Sequence, residues 1–332
     1  MEVLSKTKRM IRKHIVFSLS LPILLALLML VTLFASCTLE LNYDKYAVVY
    51  GISDYPGAVN DLNYTDDDAR DFGDLLVAQG YQVILRVTDD SVVDADEATY
   101  NQLKTDLASV GSLADQNDLF VFYFSGHGYQ QLSGSPDTTE NGPGSDEYDE
   151  LVVLVTDDLQ ADIYYTDDEL AEDLQSIPCV KKVVIIDACN SGGFIANESE
   201  IDNIPPSLSE GSDSSLVERI VYAIDLYANF GDTTSDITPS LALVLAASGE
   251  RELSYEAPPP VENLYYHGVM TYFLLRSATA GDRNGDGYIT VTEVYDYIRK
   301  GIQLEWNLSL PIIYNFLPHV SGGPIDYILF TK

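Results

Sequence analysis

Two side chains that can together perform nucleophilic catalysis each follow a short apolar segment. His127 lies in VFYFSGHGYQ, residues 121–130, and Cys189 lies in VVIIDACNSGG, residues 183–193. A thiol beside an imidazole can pass its proton to the ring and attack a carbonyl carbon, after which the imidazolium protonates the leaving amine. The backbone N–H groups of Gly128 and Cys189 are candidate donors to the oxyanion that forms. The sequence therefore predicts a catalytic Cys–His pair.

Each member of the pair has a simpler interpretation when it is taken alone. His127 could be a turn histidine bonded to backbone, and Cys189 a small buried residue at a strand end. His267, at a predicted helix start, and His319, in a predicted loop, are alternative bases, although packing or helix capping explains both more simply. A serine nucleophile is disfavoured because no serine has the G-x-S-x-G setting.

The elements that must position this pair are apolar strands alternating with helical patterns, which is typical of an α/β fold with a mostly parallel sheet. Strands are predicted at Tyr46–Ile52, Gln82–Arg86, Leu119–Phe124, Lys182–Ile186 and Leu241–Ala247, with Leu151–Val155 as an added strand or hairpin arm. Helices are predicted at Asp66–Gln79, Thr99–Val110, Asp167–Gln175, Leu216–Tyr227, His267–Ala278 and Thr290–Ile302. Because parallel neighbours end at one edge of a sheet, His127 and Cys189 can meet there.

Two polar segments, residues 132–150 and 196–215, are rich in Gly, Pro, Ser and acidic residues and are predicted to be loops. Each follows one of the two candidate catalytic residues. They lie where open α/β sheets build their sites.

The charge balance disfavours partners that carry negative charge. The chain has 18 basic and 52 acidic residues and a formal net charge of −34. Such a protein repels nucleic acid phosphates and anionic membrane surfaces, so no nucleic acid partner is expected. Most of the acidic residues are expected to form a solvated surface. Separately, no organic cofactor is expected.

The first 36 residues are typical of an export signal or a membrane anchor. Residues 1–14 are basic, and residues 15–36 are almost entirely apolar or small. The run is long enough to span a bilayer, so an uncleaved anchor is the alternative. The segment LFASC, residues 33–37, resembles a bacterial lipobox, in which Cys37 would be acylated. Either interpretation predicts that the rest of the chain is exported from the cytoplasm and held at a membrane.

Cys179 and Cys189 are separated by a predicted buried strand. Ten residues of strand would hold the two sulfurs roughly 30 Å apart, and a disulfide needs Cα atoms within about 7 Å. The sequence therefore predicts that this pair does not form a disulfide.

The paired motifs YFSGHG and DACNSG resemble those of the caspase-like cysteine peptidases, closest to the metacaspase and bacterial caspase-like branch. The similarity extends to AVVYGISDYPG, LNYTDDDARDF, LALVLAASGERE and HGVMTYFLL. The resemblance implies a caspase-like (caspase-hemoglobinase) fold with helices on both faces of the sheet, peptide-bond hydrolysis, and catalytic roles for His127 and Cys189. One departure is Asn190, where family members commonly carry His.

The first 36 residues and the resemblance to caspase-like peptidases together predict a domain organisation. A signal or anchor, residues 1–36, and a tether, residues 37–44, precede a peptidase domain over residues 45–332. That domain divides into a larger portion, residues 45–195, a loop and helix, residues 196–235, and a smaller portion, residues 236–332. A monomer is expected.

Acidic residues near the nucleophile predict cleavage after Arg or Lys. Asp187 stands two residues before Cys189, where caspases carry Gln, and a carboxylate there would attract a basic side chain. By resemblance to metacaspases, Asp68 and Ser125 complete the substrate pocket. The alternative is that Asp68 caps its own helix and Asp187 only orients the turn. Residues 190–218 contain no Lys or Arg, so under this specificity they hold no self-cleavage site.

The segment DRNGDGYITVTE, residues 282–293, matches a twelve-residue EF-hand calcium loop between two predicted helices. The alternative is an Asp-rich turn that only links the helices. The predicted ligands are Asp282, Asn284, Asp286, the Tyr288 carbonyl, Thr290 and Glu293.

The resemblance to metacaspases also suggests a second calcium site at Asp157, Asp167 and Asp168. The last acid of that set would fall near Ala196, where only Glu198 could substitute. Asp167 and Asp168 also suit a helix start.

An alternative to the enzyme is a catalytically silent caspase-like surface module that binds calcium and a protein partner.

Overall fold

The computed structural model of the protein describes residues 43–57, 59–89, 97–132, 148–189, 241–249, 252–256, 266–320 and 327–332. The predicted signal or anchor, Cys37, Asn190, the loop at 196–215 and the helix Leu216–Tyr227 lie outside the described residues. Within the described part, no helix is long and apolar enough to cross a membrane.

A six-stranded sheet is the centre of the described fold. Its strands are β1 (Lys45–Ile52), β2 (Gln82–Thr88), β3 (Leu119–Ser125), β7 (Lys181–Asp187), β8 (Leu243–Ala246) and β10 (His319–Val320). They lie in the order β10-β8-β7-β3-β1-β2, and neighbours are parallel except at β10, which is antiparallel to β8. The predicted α/β class is confirmed, and the five predicted core strands are present within two residues of their predicted bounds.

Helices cover both faces of this sheet. The helices are α1 (Thr65–Ala78), α2 (Tyr100–Leu113), α3 (Asp167–Ser176), α4 (Val269–Ala280) and α5 (Val291–Gly301). On one face, Phe72 of α1 and Phe273 of α4 pack in a core cluster with Tyr123 of β3. On the other face, Leu107 of α2 and Leu174 of α3 pack in a cluster with β3 residues of the opposite parity, such as Phe124. Alternating β3 side chains thus join two cores.

A three-stranded antiparallel sheet extends from the end of β3. Its strands are β4 (Gly128–Leu132), β5 (Tyr148–Val155) and β6 (Asp162–Thr166), in the order β4-β5-β6. The predicted strand at 151–155 is part of β5, whereas β4 and β6 were not predicted. The predicted loop at 132–150 is wrong at its two ends, since residue 132 and residues 148–150 are in strands. Residues 133–147 of that loop lie outside the described part.

The segment around the predicted calcium loop forms a second small sheet. Strand β9 (Tyr288–Thr290) pairs antiparallel with β11 (Ile328–Thr331), and α5 follows β9 directly. A π-helical turn at Ile302–Asn307 and a 3-10 turn at Ile312–Tyr314 lead to β10. The prediction of a loop at His319 is wrong, because its backbone pairs with Ala246.

Candidate active site

His127 stands in the turn between β3 and β4 and is held there by Tyr55. The backbone N–H of His127 donates to the Tyr55 hydroxyl over 2.9 Å, and that hydroxyl donates to the Val153 carbonyl over 3.1 Å. The two rings pack with centroids 4.6 Å apart. Burial raises the pKa of Tyr55, so the phenol keeps its proton. A neutral hydroxyl therefore ties the histidine turn to β5.

The His127 ring makes a hydrogen bond that assigns a role to each of its nitrogens. Its Nε2 lies 2.7 Å from the backbone carbonyl oxygen of Asn60. A carbonyl oxygen can only accept, so Nε2 carries the proton in the neutral ring. Nδ1 is then the nitrogen that can take a proton.

Cys189 lies just beyond β7, opposite His127 in the register of the sheet. Ser125 of β3 pairs with Asp187 of β7, and each catalytic candidate comes two residues later in its chain. The Gly126 amide donates to the Asp187 carbonyl over 3.3 Å, which extends the pairing past the strand ends. The structure thus brings both turns to one edge of the sheet, as the sequence predicts.

Gly128 is required by the close approach of these two turns. A Cβ atom at Gly128 would overlap the carbonyl oxygen of Cys189 and touch the Ala188 side chain at 3.0 Å. Only glycine leaves room for the turn after β7 to pass this close. The backbone of Gly128 and Cys189 therefore faces the same small space.

The Cys189 thiol is neutral in this structure. Burial raises its pKa, and the charge of Asp187 adds to that effect. The sulfur lies 3.6 Å from the carbonyl oxygen of Ser254, to which a thiol can donate. The Ser254 contact and the raised pKa both describe a protonated thiol.

Two buried carboxylates lie beside the pair, on the sheet face that carries Tyr123. Asp68 of α1 accepts from the Ser125 hydroxyl over 2.9 Å, and Asp187 accepts from the Thr271 hydroxyl over 2.7 Å. Both are almost completely removed from solvent. The predicted group Asp68, Ser125 and Asp187 is therefore brought together at the end of β3 and β7.

The amino-terminal end of α4 supplies further donors to these carboxylates. The Gly268 amide donates to Asp68 over 3.0 Å, and the Thr271 amide donates to Asp187 over 3.0 Å. Burial raises the pKa of Asp68 to about 6 and that of Asp187 to about 7, and the charge of Asp68 adds to the effect on Asp187. The alternative in which Asp68 caps its own helix is not observed, because no side chain caps the start of α1. Asp68 accepts instead from the Gly268 amide just before α4.

His267 is a member of this group that the sequence analysis assigned to packing or capping. Its Nδ1 lies 2.9 Å from Asp68 and its Nε2 lies 3.4 Å from Asp71. Burial opposes the charged ring, but the hydrogen bond and charge of Asp68, with the charges of Asp71 and Asp67, outweigh it and raise the pKa of His267. The basic ring thus rests on a carboxylate of the predicted substrate pocket. The position of His267 beside Asp68 depends on a contact between distant parts of the chain, which no local sequence pattern predicts.

His319 is far less integrated in this chemistry. Its Nε2 lies 3.8 Å from Glu252, and its backbone is part of β10. The simpler interpretation of His319 as a structural residue fits this placement.

The predicted EF-hand loop lies between α4 and α5. Gly285 and Gly287 have φ values of +76° and +87°, and Asp282 accepts from the amides of both over 2.7 and 3.3 Å. Glu293 accepts from the Thr290 amide over 3.1 Å and takes part in the capping box of α5. The Lys332 ammonium lies 3.7 Å from Asp282.

The acidic residues of the chain are not gathered into a preformed metal cage. Within the described residues, no group of three or more His, Cys, Asp or Glu side chains is arranged to hold a metal ion. Of the suggested second site, Asp157 accepts from Asn101 over 2.7 Å and Asp167 is buried in the first turn of α3. Asp168 is exposed next to it, and Glu198 lies outside the described part. Both remaining cysteines, Cys179 and Cys189, are free, as predicted.

Comparison of the sequence with protein families gives a match to the caspase domain over residues 44–309. Among curated proteins, Metacaspase-1 of Lodderomyces elongisporus is 28% identical over 158 residues, which are 46% of this chain and 34% of that protein. Metacaspase-4 of Arabidopsis thaliana is 29% identical over 162 residues, 47% of this chain and 35% of that protein. The alignments span about a third of the length of these relatives.

Solved structures resemble the fold over most of the chain. Protein GSU0716 from Geobacter sulfurreducens has a TM-score of 0.50 at 17% identity and covers 85% of this chain and 95% of its own. Caspase-1 from Spodoptera frugiperda has a TM-score of 0.50 at 10% identity and covers 88% of this chain and 95% of its own. The predicted caspase-like fold is confirmed by these neighbours.

Proposed function

Because the chain belongs to the caspase-domain family of peptidases, we propose that it is a cysteine endopeptidase whose catalytic pair is His127 and Cys189. The observation that carries this proposal is the register of β3 and β7, which sets the two turns side by side at one sheet edge. The Asn60 carbonyl leaves Nδ1 of His127 as the proton acceptor. A thiol and a base in adjacent turns are what nucleophilic acyl transfer requires.

The reaction follows from these positions. Nδ1 of His127 takes the proton of the Cys189 thiol, and the thiolate attacks the scissile carbonyl carbon. The C–S bond forms as the carbonyl π pair moves to oxygen, where the amides of Gly128 and Cys189 are the proposed donors. The C–N bond then breaks, and the imidazolium returns its proton to the leaving amine. Nδ1 of His127 then takes a proton from a water molecule whose oxygen attacks the thioester carbon, the C–S bond breaks, and the ring returns the proton to the Cys189 thiolate.

The residue before the scissile bond is proposed to be Arg or Lys. Asp68 and Asp187 form a buried acidic pair on one side of the catalytic turns, and Ser125 of β3 donates to Asp68 and pairs with Asp187 in the sheet. A basic side chain would stabilise the ionised form of that pair, whereas an aspartate would add a further negative charge beside it. The α4 amides already satisfy part of each carboxylate, so the substrate would displace His267 rather than those amides.

This function is tested with fluorogenic peptides that end in Arg, Lys or Asp before the reporter. The full chain is expected to cleave the Arg and Lys peptides at least about a hundredfold faster than the Asp peptide, since a like charge in a desolvated pocket costs several kcal/mol. Cys189→Ala should abolish cleavage, and Cys179→Ala should leave it unchanged. Turnover that survives in Cys189→Ala would refute the assignment.

We also propose that residues 282–293 bind Ca²⁺. The six candidate ligands supply oxygen atoms, the set that calcium prefers, and the Lys332 ammonium beside Asp282 supports a loop that accepts a cation. The carboxylates bond loop amides here, so they would have to turn toward the ion. A single hand of this kind suits the weak end of the range, about 0.1–1 mM.

Calcium binding is tested by thermal unfolding of the full chain at increasing Ca²⁺. The Tm is expected to rise, because an ion that binds only the folded state stabilises it. Glu293→Gln keeps the capping box, which accepts glutamine, but removes a ligand charge and should remove the rise. An equal rise in that variant, or one reproduced by Mg²⁺, would contradict the site. Activity measured in parallel separates regulation from stabilisation.

We propose that the chain is exported and anchored through its first 37 residues. A lipoprotein signal predicts that the mature protein partitions into the membrane fraction with lipid on Cys37. Cys37→Ala should release it or leave the precursor uncleaved. Metabolic labelling with a fatty acid, followed by fractionation, measures both.

A further inference from the structure

A cavity of about 240 Å³ opens beside His127, on the side away from the carboxylate pair. The turn after β1 and the strands β4, β5 and β6 form its walls. Its lining residues are Tyr55, Asn60, His127, Gly128, Tyr129, Val153, Asp162 and Tyr164.

The two faces of the central sheet separate this cavity from the acidic pair. Tyr55 and Val153 belong to the core cluster that contains Phe124, whereas the carboxylates lie on the face of Tyr123. His127 lies at the boundary, since its ring packs on Tyr55 and its backbone follows β3. A substrate whose basic side chain entered the acidic pair would therefore pass His127 before it reached the cavity.

The chemistry of the proposed peptidase places the leaving group on the same side. The imidazolium must protonate the amine that departs, so that nitrogen must lie within hydrogen-bond reach of the ring. The residue attached to that nitrogen then lies next to His127, and His127 is itself a wall of the cavity. Resting on the proposed function, we propose that this cavity binds the side chain of the residue that follows the scissile bond and prefers arginine there.

The preference for arginine follows from the side chains at the rim. The rings of Tyr129 and Tyr164 are stacked at an interplanar angle of 22°, and the two residues are 53% and 47% exposed. Their faces suit a planar guanidinium, which stacks on aromatic rings. Asp162 adds a negative charge, and none of the described lining residues is Lys or Arg. The charge of Asp162 would repel an acidic side chain at this rim.

The test uses internally quenched peptides that are identical except for the residue after the cleaved Arg, which is Arg, Ala or Glu. The full chain is expected to show kcat/KM about tenfold higher for the Arg peptide than for the Glu peptide, from one stacking contact and one exposed charge pair. Asp162→Asn should lower the Arg-to-Glu ratio about two- to fivefold. Tyr164→Ala should lower kcat/KM for the Arg peptide about two- to fivefold relative to the Ala peptide.

Asp74→Asn, an exposed change on α1 away from the cavity, is the matched control and should leave all ratios unchanged. An Arg-to-Glu ratio of kcat/KM near one, or a ratio that neither variant alters, overturns the inference about the cavity. Cleavage that depends on Cys189 upholds the proposed function in either case. If no peptide is cleaved in a Cys189-dependent manner, both fail together. Mapping the new amino terminus by mass spectrometry confirms that all peptides are cut at the same bond.

Discussion

The buried carboxylate pair predicts that one conservative substitution will stabilise the protein and impair the proposed function. Asp187 is almost fully buried, and burial, then the charge of Asp68 and, more weakly, that of Glu256 raise its pKa to about 7. Hydrogen bonds from Thr271 favour the carboxylate but do not outweigh these effects. Asp187→Asn keeps an oxygen that can accept both Thr271 bonds and removes the charge.

The size of the effect follows from the two ends of the titration. The ordinary pKa of an aspartate is 3.8, and the folded value is about 7. The folded state therefore disfavours ionisation of Asp187. The contribution of this carboxyl to the free energy of unfolding is fully present below pH 3.8 and is lost as the pH rises through about 7. At about 1.4 kcal/mol per pH unit, the cost of ionising Asp187 reaches about 4 kcal/mol well above pH 7. The neutral amide of the Asp187→Asn variant cannot incur this cost.

The assay is urea unfolding of the full chain at pH 5, 6, 7 and 8. The stability advantage of Asp187→Asn over the natural chain should grow by about 2–3 kcal/mol between pH 5 and pH 8. Its kcat/KM for an Arg peptide should fall. Asp74→Asn, which removes an exposed charge from α1, should run parallel to the natural chain.

Two results would refute this reasoning. If Asp187→Asn is less stable than the natural chain at pH 8, the carboxylate is stabilising and the burial argument is wrong. If its advantage is constant with pH, Asp187 does not titrate in this range. The expected result would indicate that the acidic pair is retained for binding at a cost in stability.

Three further predictions concern the catalytic turns and the acidic pair. Gly128→Ala places a Cβ against the Cys189 carbonyl oxygen and should lower kcat at least about a hundredfold, while the far-ultraviolet circular dichroism spectrum stays unchanged. Normal activity of this variant would contradict the close approach of the two turns. Below the raised pKa of His267, the charged ring bonds Asp68 and competes with a basic substrate, so KM for an Arg peptide should fall by up to about tenfold per pH unit as the pH rises. His267→Gln should flatten that pH dependence of KM, and an unchanged slope would exclude the competition. Tyr55→Phe removes the acceptor of the His127 amide and should lower the free energy of unfolding by about 1–3 kcal/mol in urea, whereas an unchanged midpoint would show that water replaces the hydroxyl.

The approach of the turns that carry His127 and Cys189 could be predicted from the sequence because it depends on regular structure. Buried parallel strands are long apolar runs, and the turns that follow them must emerge at one edge. In this protein the register aligns Ser125 with Asp187, so residues two positions later are aligned as well. The helices on both faces of the sheet, by contrast, are implied by the resemblance to caspase-like peptidases and not by the strand pattern.

The partners of these residues could not be predicted, because they lie in irregular segments. The contacts of His127 with Asn60 and of Cys189 with Ser254 include backbone carbonyls, whose direction depends on the path of a loop rather than on residue type. His267 reaches Asp68 across 199 positions of sequence. Strand β6, DIYYT, is short and adjoins a helix, so no periodicity separated it from a loop.

The central claim is that Cys189 is a nucleophile activated by His127, and covalent labelling tests it most directly. A peptidyl-arginine chloromethyl ketone is added to the full chain, and the adduct is located and its rate of formation measured by mass spectrometry. The account predicts one fast adduct on Cys189, formed at least about a hundredfold more slowly in His127→Ala, with Cys179 unmodified because burial raises its pKa to about 11. An equal rate in His127→Ala, or labelling that favours Cys179, would contradict it.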